Sequence, residues 1–156
     1  MTETTKEKNK PKKIIPRKTP VPEQDPQARR SNFKEVSRGY TPELAMKEAE
    51  RCLNCPQPAC VSGCPVHVPI PCFVQAIKEG DFNKALGIIK EANVLPAVCG
   101  RVCPQESQCE QRCTLGKKFD PVAIGRLERF AADWVLQHGT GDAPAVAPST
   151  GRNAAI

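Results

Sequence analysis

The chain has 156 residues, nine cysteines, 16 prolines, only five Phe, one Trp and one Tyr, and a net charge of +6. Its length points to one domain, and 39% hydrophobic content with a mean hydropathy of −0.45 is little for a fold relying on an apolar core alone. No apolar run reaches the ~18 residues of a membrane span, and the N-terminus MTETTKEKNKPKKIIPRK lacks the apolar stretch of a secretory signal, so a membrane-spanning chain is excluded and a cytoplasmic location is expected.

Residues 1–39 read as a basic, proline-rich tail, largely extended or disordered. Residues 1–30 hold nine Lys/Arg against four Asp/Glu, whereas the rest hold 14 against 13. Pro11, Pro16, Pro20, Pro22 and Pro26 interrupt a stretch with few apolar residues. A nucleic-acid surface would need basic charge interleaved with aromatics. None precedes Phe33, so no nucleic-acid partner is expected. The tail reads instead as a solvated arm, or as one that packs on a partner or a further domain.

Residues 40–138 read as the folded part, and its pattern is helical. Thr41-Pro42-Glu43 supplies an N-cap, a proline at the first helical position and an acid in the first turn. That helix is predicted to run to about Arg51. A second fits Ile70–Glu79, stopped by Gly80. Asp81 caps a third over about Phe82–Ala92, with Phe82, Ala85, Leu86 and Ile89 on one face. Asp120-Pro121 opens a fourth, running to about Gln137. No stretch alternates with period two, so a mostly α fold without substantial sheet is expected, its irregular loops carrying the cysteines. Residues 139–156 begin GTGDAPAVAPSTG, which reads as a linker, and end RNAAI, which reads as the start of a further domain.

The fourth helix holds an anomaly. Ile124, Leu127, Ala131, Trp134 and Val135 form its apolar stripe, and Glu128 falls on the same stripe, while Arg126 and Arg129 point elsewhere. A carboxylate turned toward a core needs a charged or metal partner. The alternative is an edge position where it reaches water or an arginine.

The cysteines form two blocks, Cys52-x2-Cys55-x4-Cys60-x3-Cys64-Pro65 and Cys99-x3-Cys103-Pro104-x4-Cys109-x3-Cys113, with Cys72 between. Without export, metal or redox use outweighs a disulfide framework. The first block is close to the C-x2-C-x2-C-x3-C-P run of bacterial ferredoxins, whose fourth cysteine reaches a second cluster. A short loop wraps three thiolates around one cube, and the fourth corner comes from a distant residue. Reciprocal exchange then gives Cys52, Cys55, Cys60 and Cys113 one cluster, and Cys64, Cys103 and Cys109 the other. Cys99, Cys72 and Glu128 compete for the remaining corner. Two zinc sites could use the same thiols, but zinc favours well-separated C-x2–4-C knuckles. A non-redox docking module, zinc-bound or metal-free, is the alternative of a different class. The two histidines, His67 in a loop and His138 at a helix end, give no base for a catalytic cysteine.

The stretch that starts at Arg51-Cys52 and runs through Gly125-Arg126-Leu127-Glu128-Arg129-Phe130 closely resembles the N-terminal iron–sulfur domain of the glutamate synthase small-subunit family. Relatives include the NADPH-binding subunit of electron-bifurcating ferredoxin–NADP oxidoreductases and the N-terminal domain of dihydropyrimidine dehydrogenase. The resemblance covers about Tyr40 to Gln137. It implies an alpha-helical ferredoxin-like domain with two [4Fe–4S] clusters, the first on Cys52, Cys55, Cys60 and Cys113. The second would be held by Cys64, Cys103, Cys109 and Glu128, since some relatives carry a non-cysteine ligand there. Cys99 and Cys72 then become packing or outer thiols. The resemblance also implies an electron-transfer role in an NAD(P)H-dependent flavoprotein oxidoreductase, between flavin and a partner subunit. FAD and NADPH are expected only in a C-terminal part, because no G-x-G-x-x-G occurs in this sequence. The expected partners are that flavin/NADPH domain and another oxidoreductase subunit or a second copy of the chain, and no catalytic site is expected in these residues.

Overall fold

The computed structural model describes residues 14–139, Pro148 and Gly151. The first 13 residues of the basic tail and most of the stretch read as a linker lie outside the described residues. Among the described residues there are six α-helices and no strand, only an isolated antiparallel bridge between Glu23 and Ser37. The helices are α1 (Pro42–Ala49), α2 (Ala59–Ser62), α3 (Ile70–Lys78), α4 (Phe82–Lys90), α5 (Pro96–Val102) and α6 (Ile124–His138). Short 3-10 turns stand at Ala28–Ser31, Gln105–Ser107 and Thr114–Lys117. No helix among the described residues is long and apolar enough to cross a membrane.

Four helices lie where the sequence predicts them, and their ends have local causes. Thr41 accepts a hydrogen bond from the Leu44 N–H at the start of α1. The chain then tightens, with Arg51 N–H donating to Glu48 O and Cys52 N–H to Ala49 O, so α1 ends before the predicted Arg51. Gly80 follows α3 at φ +81°. Asp81 accepts from the Lys84 N–H and caps α4.

Helix α6 begins at Ile124 and not at Pro121. The reason is that Asp120 and Pro121 are committed elsewhere. Asp120 N–H donates to Pro16 O, and the Asp120 and Pro121 carbonyls accept from Arg51. Helices α2 and α5 lie outside the predicted elements. The first is a single turn, and the second starts at Pro96 in an apolar run.

The core gathers Phe73, Val74 and Ile77 of α3, Phe82, Ala85 and Ile89 of α4, and Ile124, Leu127, Phe130 and Ala131 of α6. Phe82 meets Phe130 and Trp134 edge-on, at 4.9 and 5.0 Å between ring centroids. Arg129, which lies off the apolar stripe, is also buried. The cause is the arm preceding α1, whose Ser37 and Glu35 take the guanidinium together with Asp133.

Residues 14–39 carry little regular structure but lie along the helices. Thr19 N–H donates to Glu48 Oε2 at 2.6 Å, and the Tyr40 hydroxyl donates to Thr19 O at 2.7 Å. Glu48 also pairs with Arg51 at 2.7 Å, both side chains fully buried. Arg51 further donates to the carbonyls of Ile15 and Pro16. This pair therefore ties the arm, α1 and the entry to α6 together, one residue before Cys52.

Candidate metal centre

Four of the predicted ligands surround one cavity. Cys52 and Cys55 lie in the loop leaving α1, Cys60 lies on α2, and Cys113 precedes the turn Thr114–Lys117. Leu53, Pro58, Ala59, Pro71, Leu115 and Val122 complete the wall. Burial pushes the Cys60 thiol up to about 11, with Cys113 and Cys52 adding to the shift. The cavity thus gathers four thiols, and a cation there favours the thiolate form that binds metal.

The other predicted ligands form a second group. Cys64 follows α2, Cys103 ends α5, Cys109 lies in the following loop, and Glu128 stands in α6. Burial pushes Cys103 up to about 11, and Cys99, Glu128 and Cys64 lie close enough to add to it. Cys109 is pushed up to about 12 by burial, then by Glu110, Cys64 and Glu128. Glu128 is 9% exposed. Burial raises its carboxyl above the usual range, and a hydrogen bond from Asn93 opposes that.

Glycines let these segments meet. A Cβ at Gly63 would lie 2.8 Å from Gln108 O and 3.1 Å from Cys109 Cα, so Gly63 brings the Cys64 loop against the Cys109 loop. A Cβ at Gly100 would lie 2.6 Å from Arg129 N, so Gly100 seats α5 on α6 beside Glu128.

Cys99 reaches the second group through Cys103, whereas Cys72 is exposed on α3. His138 stacks on Trp134, with centroids 4.8 Å apart. Among the described residues no two cysteines are joined in a disulfide. Among the described residues, no three His, Cys, Asp or Glu side chains converge closely enough to hold a single metal ion. A tetrahedral zinc at ~2.3 Å from each sulfur would draw its thiolates to roughly 4 Å of one another. A multi-iron cube accepts a wider set of thiolates, and the donor chemistry of both groups fits it. Sequence reasoning passes over Asn93, whose only signal is a polar residue in an apolar run ahead of Pro96.

A helical scaffold with cysteine-rich loops in two groups defines a small α-helical iron–sulfur domain. A family model described as dihydropyrimidine dehydrogenase domain II, 4Fe-4S cluster, matches residues 29–140. The chain belongs to this family of iron–sulfur electron-transfer domains. It is 41% identical over 119 residues to the glutamate synthase [NADPH] small chain of Halomonas elongata, covering 76% of this chain and 25% of that one. The glutamate synthase [NADPH] small chain of Escherichia coli K12 is 38% identical over 128 residues, 82% of this chain and 27% of that one. The NAD-dependent dihydropyrimidine dehydrogenase subunit PreT of Escherichia coli O157:H7 is 42% identical over 105 residues, 67% of this chain and 26% of that one. The chain therefore spans about a quarter of the length of these relatives.

Proposed function

We propose that this chain holds two [4Fe–4S] clusters and carries single electrons between a flavin and a partner subunit in a cytoplasmic NAD(P)H-dependent oxidoreductase of glutamate synthase small-subunit type. Cys52, Cys55, Cys60 and Cys113 would hold the first cluster, and Cys64, Cys103, Cys109 and Glu128 the second. When bound, such clusters supply one-electron redox chemistry. The residues hold and tune them. Leu115 and Val122, both buried, give the first site an apolar wall, and Glu128 adds an oxygen ligand to the second, which alters its potential through charge and ligand type.

The observation that carries this reading is the convergence of Cys52, Cys55, Cys60 and Cys113 on one cavity from segments far apart in sequence. FAD and NADPH belong, on this reading, to a further part of the polypeptide. An apolar groove of α4, α5 and α6 supports its docking here. Leu86, Val94, Leu95, Val98 and Leu136 line that groove, which reaches Gly139.

Iron and acid-labile sulfide analysis of the anaerobically reconstituted chain tests the reading. About eight of each per chain is expected from two such clusters. About two zinc per chain and no sulfide would overturn it in favour of a docking module.

A further inference from the structure

Asn93 lies in the loop between α4 and α5 and is 8% exposed. Both ends of its amide are used. Nδ2 donates to Glu128 Oε1 at 2.7 Å. Oδ1 accepts from the Leu95 backbone N–H at 3.0 Å and lies 3.5 Å from Cys99 Sγ. The Leu95 contact fixes the orientation of the amide. A backbone N–H only donates, so the oxygen must face it and the NH2 is left for the carboxylate.

The same amide therefore touches both rivals for the last corner of the second site. It holds one oxygen of Glu128, whose other oxygen makes no hydrogen bond among the described residues. It also meets Cys99 through its oxygen, a contact that turns the Cys99 sulfur toward the amide. We propose that Asn93 is a positioning residue that sets Glu128 as the fourth ligand of the second cluster and holds Cys99 off it. This rests on the reading that Cys64, Cys103, Cys109 and Glu128 hold that cluster. Residues beyond a ligand that orient it commonly matter to metal affinity almost as much as the ligand.

The test compares the full reconstituted chain with Asn93→Ala, Asn93→Asp, Cys99→Ser and the double variant Asn93→Ala/Cys99→Ser. The readouts are iron content, the EPR spectrum after reduction, and far-UV CD. Asn93→Asp keeps an acceptor for Leu95, and so the turn, but faces Glu128 with oxygen in place of the N–H donor. Wild type and Cys99→Ser are expected to give the same two signals. Asn93→Asp and Asn93→Ala are expected to change one signal only, and the double variant to lose about half the iron, one cluster of two. An Asn93→Asp spectrum identical to a two-cluster wild type overturns the positioning role alone. Loss of the fold in both single Asn93 variants makes Asn93 purely structural and also overturns it. Fewer than two clusters in the wild type overturns the parent reading, and this proposal with it.

Discussion

Glu48→Ala is expected to destabilise the cluster-loaded chain by about 3–5 kcal/mol, the usual cost of leaving one member of a buried ion pair alone. Glu48 accepts from the Arg51 guanidinium and from the N–H groups of Thr19 and Ala123, all of them buried. Its removal strands Arg51 and two backbone donors at once. The loss spreads over three segments, because Arg51 also ties down Ile15, Pro16, Asp120 and Pro121. Urea unfolding of wild type and variant measures it. A change below ~1 kcal/mol, the level of an exposed pair, would contradict the role given to this pair.

Removing the iron with a chelator under anaerobic conditions is expected to abolish cooperative unfolding and the near-UV CD signal. Among the described residues the core has few aromatic side chains, one tyrosine and three phenylalanines. The segments around the cysteines are mostly loops and single turns. Structural zinc in zinc-finger peptides contributes about 10–16 kcal/mol, comparable to the whole stability of a typical domain, and metal ligation here acts in the same way. A stripped chain that keeps its near-UV spectrum and a sharp melt would show that the apolar core suffices.

The helices that are legible in the sequence carry their own signals. Thr41-Pro42 and Asp81 are caps, Gly80 is a stop, and Phe82, Ala85, Leu86 and Ile89 repeat at helical spacing. Helix α2 is too short to show a period, and α5 has its face exposed at Val98 and Val102. The packing of residues 14–39 is not legible either. It depends on polar contacts such as Thr19 to Glu48 and Ser37 to Arg129, which join positions 29 and 92 residues apart. The displaced start of α6 has the same origin, since Asp120-Pro121 looks like a helix opening until Arg51 takes its carbonyls.

At the site, cysteine spacing suggests which thiols belong together, because short loops can only reach so far. Glu128 stands out as a charge on an apolar stripe, and it is buried. Asn93 gives no comparable signal. Its role depends on a contact with a residue 35 positions away.

The two-cluster assignment is tested most directly by EPR and iron analysis of Cys113→Ser and Cys103→Ser beside Glu128→Ala and Cys99→Ser. The expected result is that Cys113→Ser and Cys103→Ser each lose about half the iron and a different one of two signals. Glu128→Ala should alter only the signal that Cys103→Ser removes, and Cys99→Ser should leave both. Loss of a cluster in Cys99→Ser with none in Glu128→Ala would contradict the assignment.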